Sequence, residues 1–218
     1  MSVQVIYKKE TKSFNRGVFA IFTDENFKIF KNKKILSPNE LEFLRKILKS
    51  KPKSKKKILY FDLNPEKTLI LISVKKTYSN NDFENLGSSF YDFIKSNNFT
   101  FINILSETMV GNLSNLFNHF IHGFKLKSYE FTKYKSKKEL KNIIVKILQN
   151  KNKSVDNDLL KFKALEEGTF YTRDLVSEPG NILHPDEYAK RLNSLKKYGL
   201  KINIYNDRQL KKLGMNAL

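Results

Sequence analysis

The chain has 218 residues and a formal net charge of +19, from 41 Lys and Arg against 22 Asp and Glu. Its hydrophobic content of 40% is enough to bury a core, which excludes wholesale disorder. It has no cysteine, which excludes a disulfide framework, a thiolate zinc site and a cysteine nucleophile. No apolar run approaches the roughly 18 residues that a membrane span needs, and the first residues do not read as a signal peptide. We therefore expect a soluble, cytoplasmic protein with no membrane partner.

The positive charge is unevenly distributed. Residues 1–155 carry 30 Lys and Arg against 13 Asp and Glu, whereas residues 156–218 carry 11 against 9. The change falls at a cluster of polar, turn-favouring residues that predicts a linker near 150–157. Two interpretations stay open. Either the charge attracts nucleic acid, with the lysine-rich run 51–57 as its focus, or the lysines are simply solvated in a chain rich in Lys, Asn, Ile and Phe.

The first 155 residues alternate predicted strands and helices. Runs rich in β-branched and aromatic residues predict strands at 3–7, 18–22, 27–30, 58–62, 69–74, 99–105 and 142–148. Apolar residues at helical spacing predict helices that start at Pro38 and that cover 83–94 and 113–124. Ser37 and Glu40 predict a capping box before the first helix, and Gly87 permits close approach by a neighbour. The pattern predicts an α/β fold in which helices cover a mixed sheet, with 58–62 and 69–74 antiparallel.

The segment 156–218 is predicted to be a linker helix followed by the start of a second domain. A helix is predicted over 158–176, with an apolar side formed by residues 160, 164, 168, 171 and 175, and Pro179 ends it. A second helix is predicted from Pro185 to Gly199, a strand over 201–205, and a short helix capped by Asp207. The sequence stops where the next strand should begin, so we expect a chain that is cut inside a domain.

Few residues could carry chemistry. His119 and His122 lie three residues apart on a predicted helix and could reach one metal ion, but no carboxylate lies within a turn. We interpret them as two ordinary helix histidines, and His184 as a weak helix cap. Asp174 and Glu178 lie four residues apart, which is typical of an ion-paired helix end.

Three segments resemble the M17 family of leucyl aminopeptidases. Residues 168–185, GTFYTRDLVSEPGNILHP, resemble the family's RDLxNxPxNxLxP segment at the entry to its catalytic domain. Residues 207–215, DRQLKKLGM, are similar to its short helix that ends in LGM, and residues 123–138, GFKLKSYEFTKYKSKK, to its GxxLxSYxFxKYKxKK stretch. Ser177 and His184 depart from the family's usual Asn and Thr. Residues 1–110 resemble the family only in the order of strands and helices.

The resemblance implies a macro-domain-like N-terminal domain over 1–155, followed over 156–218 by the opening βα elements of a zinc-peptidase-like catalytic domain. It also implies removal of N-terminal residues from peptides, two divalent metals (zinc or manganese) and a homo-hexamer. Because the family's metal ligands lie beyond the LGM motif, no catalytic or metal-binding residue is assigned within 1–218, and the chain alone is predicted to be inactive. Arg173, Asp174, Pro179 and Asn181 match motif positions and are assigned a structural role.

Two other functions remain open. The basic N-terminal domain would form a nucleic-acid-binding module that contacts DNA, as some bacterial members of the family bind DNA. The macro-domain-like fold would bind a nucleotide such as ADP-ribose, although the sequence has no glycine-rich phosphate loop.

Overall fold

A computed structural model describes residues 3–9, 14–29, 35–50, 56–109, 111–136, 142–149 and 157–215. The chain divides into two compact units, Met1–Thr169 and Phe170–Leu218. The division lies inside a helix, whereas the sequence predicts a boundary between residues 155 and 156. No helix within the described ranges combines the length and the apolarity needed to cross a membrane.

A six-stranded mixed sheet forms the centre of the first unit. Its strands are β1 (Val3–Lys9), β2 (Gly17–Thr23), β3 (Ile58–Asn64), β4 (Lys67–Ser73), β5 (Phe101–Leu105) and β6 (Ile143–Gln149). Their order across the sheet is β1-β6-β5-β2-β4-β3. All neighbours are parallel except β3 and β4, which are antiparallel because their connection is too short for a crossover. The predicted α/β fold with a mixed sheet is confirmed.

Four helices accompany the sheet: α1 (Pro38–Ser50), α2 (Asn80–Ser96), α3 (Phe117–Lys127) and α4 (Asn157–Ser177). The predicted capping box of α1 is present, since the Ser37 amide donates to Glu40 Oε2 (2.7 Å) and the Glu40 amide donates to Ser37 Oγ (3.3 Å). Ser79 and Asp82 begin α2 in the same way. Each cap satisfies amides that have no partner in the first turn of a helix.

The alternation of side chains along the strands divides the apolar residues into two clusters, one on each face of the sheet. Ile70 and Ile72 of β4 join a first cluster with α2 and α3, whose largest buried side chains are Phe83, Phe90, Phe120 and Phe124. Leu69 and Leu71, which alternate with them, join a second cluster with Leu44 of α1. Burial on both faces explains why β2 and β4 are almost continuously apolar.

Two glycines allow α2 and α3 to approach backbone to backbone. A Cβ atom on Gly87 of α2 would lie 1.9 Å from the Phe120 carbonyl oxygen, and one on Gly123 of α3 would lie 2.0 Å from the Glu84 carbonyl oxygen. No side chain larger than hydrogen fits at either position. The close approach predicted for Gly87 is therefore present, and Gly123 makes the reciprocal contact.

The second unit contains the end of α4, then α5 (Pro185–Asn193), a 3₁₀ helix (Ser194–Tyr198) and α6 (Asp207–Lys212). The predicted start at Pro185 is confirmed, and Gly199 follows the 3₁₀ helix with a left-handed φ of 85°. The predicted cap of the last helix is wrong by one residue. Asn206 is the N-cap, because its side-chain oxygen accepts a hydrogen bond from the Gln209 backbone amide (3.0 Å). In return, the Asn206 backbone amide donates to Gln209 Oε1 (2.9 Å).

Two predicted strands are wrong. Residues 27–29 are not extended into a strand, because Asp24 Oδ1 accepts the amides of Asn26 and Lys28 and Phe27 takes a positive φ of 57°. Such a side-chain turn competes with strand pairing. Residues 201–205 alternate in polarity but form no strand, and no strand lies in the described part of this unit to pair with them.

The predicted apolar side of α4 is wrong in the first half of the helix, whereas Leu175 near its end is buried as predicted. Leu160 is 58% exposed, whereas the buried residues in the first half of α4 are Phe162 and Glu166. These two lie four residues apart and share a face that the apolar pattern does not reveal, because one of them is charged.

The glycine contact predicts opposite effects for two alanine substitutions. Gly87→Ala should destabilise the fold by about 1–3 kcal/mol or more, because the new methyl group displaces the backbone of α3. Gly168→Ala is the matched control in α4, where an added Cβ meets nothing within 4 Å. It should stabilise by up to about 1 kcal/mol, since alanine favours helix over glycine. Urea unfolding followed by circular dichroism measures both, and equal effects would contradict the packing described.

Candidate functional sites

Three helices of the first unit bring two histidines and two carboxylates together. His119 Nδ1 on α3 lies 2.7 Å from Glu84 Oε1 on α2, and His122 Nδ1 lies 3.4 Å from Glu166 Oε1 on α4. The sequence analysis finds no carboxylate within one helical turn of either histidine, because helical spacing reveals only neighbours on the same helix. Both partners are supplied instead by helices more than 30 residues away along the chain.

The carboxylate of Glu166 is the centre of this cluster, and its side chain is only 9% exposed. Its second oxygen accepts a hydrogen bond from Lys125 Nζ at 2.9 Å. One turn earlier on α4, the ring of Phe162 lies 4.9 Å and 4.8 Å, centroid to centroid, from the rings of His119 and His122. A buried carboxylate is tolerated only with hydrogen-bonding or cationic partners, so these contacts determine where α4 packs on α3.

The cluster does not fit a metal ion. Each histidine faces a different carboxylate, and Lys125 occupies the second oxygen of Glu166. Over all the residues that the structure describes, no group of three or more His, Asp or Glu side chains is placed to hold a metal. His119 and His122 instead connect α3 to α2 and α4 through their carboxylate partners.

A cleft of about 350 Å³ opens at the amino-terminal end of β4, and it contains a second buried ion pair. Lys67 Nζ donates to both carboxylate oxygens of Glu40 (2.9 and 3.1 Å) and to the Ile35 carbonyl (2.6 Å). Burial favours the neutral acid, but hydrogen bonds from Ser37 and Lys67 outweigh it and lower the pKa of Glu40. The lysine and the carboxylate neutralise each other, so we interpret the pair as structural.

The four motif residues of the second unit lie at one helix end. Arg173 and Asp174 are in the last part of α4, and Pro179 and Asn181 follow its end at Ser177. The Pro179 carbonyl accepts the amides of residues 182 and 183, both at 2.9 Å, which shapes the turn before α5. His184 is the N-cap residue of α5, but its side chain makes no capping hydrogen bond.

An arginine that the sequence did not single out connects this turn to α5. Arg191 Nη1 contacts Glu178 Oε1 at 3.2 Å, and Arg191 Nε contacts Glu187 Oε1 at 3.0 Å. Tyr171 of α4 donates its hydroxyl to the Arg191 carbonyl at 3.0 Å. The bond from Arg191 lowers the pKa of Glu187, while Glu187 and Glu178 raise the pKa of Arg191. The turn that follows α4 is therefore held to α5 by ion pairs of Arg191.

Residues 51–55 of the lysine-rich run 51–57 lie outside the described residues. Of this run, Lys56 and Lys57 are exposed, and Lys57 Nζ lies 5.4 Å from the centroid of the Tyr78 ring.

The chain is similar in sequence to proteins named probable cytosol aminopeptidase. One from Phytoplasma australiense is 29% identical over 180 residues, which cover 81% of this chain and 36% of the relative. Another, from Phytoplasma mali, is 37% identical over 106 residues, which cover 46% of this chain and 21% of the relative. The chain thus spans between about a fifth and about a third of the length of these relatives. No protein-family model matches it.

Solved structures share the fold. A mutant of tomato leucine aminopeptidase matches 97% of this chain and 46% of its own, with a TM-score of 0.70 and 19% identity. The bottromycin maturation enzyme BotP, solved in complex with Mn, matches 91% of this chain and 40% of its own, with a TM-score of 0.62 and 15% identity.

The Glu166 cluster predicts a stability difference between two adjacent glutamates. Glu166→Gln should destabilise the fold by about 1–3 kcal/mol, because it removes the charge that Lys125 and His122 face in a buried position. Glu167→Gln is the control: that side chain is 59% exposed and reaches Lys163 at only 3.9 Å, so the change should stay within about 0.5 kcal/mol. Urea unfolding of both variants tests this, and a smaller effect at Glu166 than at Glu167 would refute it.

The same variant should change the titration of Tyr7 on β1. Burial, and secondly the charge of Glu166, raise the pKa of Tyr7 to about 12. The pKa of Tyr7 in the folded state lies above the value for an exposed tyrosine. The contribution of the neutral Tyr7 to the free energy of unfolding is therefore complete below about pH 10 and is lost as the pH rises towards 12. In Glu166→Gln the pKa of Tyr7 should fall. Phenolate absorbance measures it, after the titration curve of the same protein carrying Tyr7→Phe is subtracted to remove the signal of the other tyrosines. An unchanged pKa would show that Glu166 does not act on Tyr7.

Proposed function

We propose that this chain, which resembles the N-terminal portion of the M17-family leucyl aminopeptidases in both sequence and fold, is the scaffold part of a metal-dependent enzyme that removes N-terminal residues from peptides. The similarity to probable cytosol aminopeptidases over 81% of the chain carries the proposal. The fold shared with tomato leucine aminopeptidase supports it. We also propose a cytoplasmic location, in line with the names of the relatives, and assembly as a homo-hexamer, in line with the family resemblance.

The metal ligands of this enzyme are proposed to lie outside residues 1–218. The resemblance implies two divalent metals, zinc or manganese, and the structural neighbour BotP was solved in complex with Mn. In the part of the chain that the structure describes, no three His, Asp or Glu side chains are placed to hold a metal, and His119 and His122 each face a carboxylate. We therefore assign no catalytic step to any residue of this chain.

The four motif residues are proposed to have a structural role. Arg173 and Asp174 lie on the last two turns of α4, and Pro179 and Asn181 lie in the turn before α5. This segment would fix the direction in which the chain enters the catalytic domain.

An activity assay tests this proposal. We expect the 218-residue chain to show no hydrolysis of leucine p-nitroanilide with added manganese or zinc, because it supplies no metal ligands. A gene product that continues beyond Leu218 with the family's metal-binding segment should hydrolyse the substrate and lose that activity with chelator. Chelator-sensitive turnover by the 218-residue chain itself would overturn the assignment.

Charge supports a second candidate function, binding of nucleic acid by the first unit. Residues 1–155 carry 30 Lys and Arg against 13 Asp and Glu, and this excess creates a positive field that attracts phosphates. Only five arginines are present in the whole chain, so contacts would be made mostly by lysine, which binds phosphate as a point charge without reading sequence.

Salt dependence tests this second function. Binding to duplex DNA should weaken about tenfold or more between 50 and 200 mM salt, because each phosphate contact releases a counterion. Fluorescence anisotropy with a labelled duplex measures it. Affinity that is undetectable at 50 mM salt, or that does not change with salt, would contradict nucleic-acid binding by charge.

A further inference from the structure

One part of the central sheet presents an accessible face. The strands β1, β6 and β5 are adjacent, and their pairing register aligns side chains in rows, or ranks, with one residue from each strand. Three of these ranks point away from α2 and α3. In the third rank Leu148 and Leu105 are buried in the second apolar cluster. The first two ranks are exposed or half-buried, and together they define the open sheet face: Gln4, Ile144 and Phe101, then Ile6, Lys146 and Asn103.

The chemistry of this face is an aromatic ring beside a cation. Phe101 is 38% exposed, which is unusual for a phenylalanine in the sheet of this protein. Lys146 Nζ lies over the Phe101 ring, 4.4 Å from its centroid, so the ammonium makes a cation–π contact with the aromatic face. Gln4 and Asn103 add amide groups, and the open sheet face contains no carboxylate. Lys8, the next residue along β1 on this side, is exposed and adds a second positive charge.

We propose that the open sheet face binds single-stranded nucleic acid. A base takes the place of the Lys146 ammonium over the Phe101 ring, and Lys146 and Lys8 pair with the backbone phosphates. The proposal rests on the nucleic-acid binding proposed above and specifies its site. Exposed aromatic residues on a sheet bind unpaired bases by stacking, and neighbouring lysines contact the backbone. Charge complementarity favours this partner, because a face with cations and no carboxylate sits on the strongly basic part of the chain.

The geometry favours a single strand over a duplex. A duplex keeps its bases stacked inside the helix, where a ring on a sheet surface does not reach them. An acidic protein would pair with the same lysines, but it would not require an aromatic ring at position 101. Dependence on that ring therefore distinguishes the two classes of partner.

The first test replaces Phe101 by an apolar residue of similar size. Phe101→Leu should weaken binding of the 218-residue chain to fluorescein-labelled dT12 about tenfold, since it keeps apolar contact with the sheet and removes stacking. Phe101→Trp should retain binding. Phe43→Leu is the matched control, because Phe43 lies on α1 and is 48% exposed, and this variant should bind like the unmodified chain. Thermal unfolding by circular dichroism verifies that each variant is folded.

The second test compares two lysines with the same change in net charge. Lys146→Ala should weaken dT12 binding and lower the slope of log affinity against log salt by about 0.7, the value for one phosphate of a single strand. Lys46→Ala on α1, an exposed lysine paired with Glu42, should leave the slope unchanged.

The outcomes separate this proposal from the function on which it rests. If the chain binds DNA with the expected salt dependence but Phe101→Leu binds dT12 as tightly as Phe43→Leu, the open sheet face is not the site, and nucleic-acid binding stands. Tighter binding of a 12-base-pair duplex than of dT12 also overturns the proposal. If neither probe binds at 50 mM salt, both fail. Concentration-dependent dimerisation that Phe101→Leu abolishes would assign the face to a second copy and overturn it as well.

Discussion

The backbone contact between Gly87 on α2 and Gly123 on α3 is the constraint on which the rest of the first unit depends. With hydrogen as the only side chain at both positions, the two helices lie close enough for their phenylalanines to fill one cluster over the sheet. The same contact fixes the rotation of α3, which turns His119 towards Glu84 and presents His122 and Lys125 to Glu166. Packing at two glycines thus determines which charged groups meet several ångströms away.

Much of the fold follows from local signals in the sequence. Ser37 and Glu40 mark a helix start, the short Asn64–Lys67 connection dictates an antiparallel pair, and Gly87 signals a close helix contact. The failures have physical causes that local patterns do not contain. Residues 27–29 form no strand because the Asp24 side chain accepts hydrogen bonds from the amides of Asn26 and Lys28. Residues 201–205 have a strand-like alternation but no neighbouring strand in the described part of their unit. A strand exists only where another strand accepts its hydrogen bonds.

The charged contacts were less predictable than the fold. Glu84, Glu166 and Arg191 look like ordinary surface residues in the sequence. Glu84 and Glu166 each pair with a histidine on another helix, and Arg191 pairs with Glu178 in the turn that follows α4. The partners of Glu84 and Glu166 are remote in sequence. Arg191 and Glu178 are separated by a turn, and residue spacing does not predict the path of that turn.

Helix α4 belongs to both units, because the division at Thr169 falls inside it. Its first half carries Phe162 and Glu166, and its second half begins the segment that resembles the catalytic-domain entry. A crossover between two homologous genes that falls between Lys125 and Glu166 would join α3 of one parent to an unmatched anchor on α4 of the other. Stably folded recombinants should therefore inherit the stretch from His119 to Glu166 from one parent, whereas the second half of α4 can be exchanged together with the second unit.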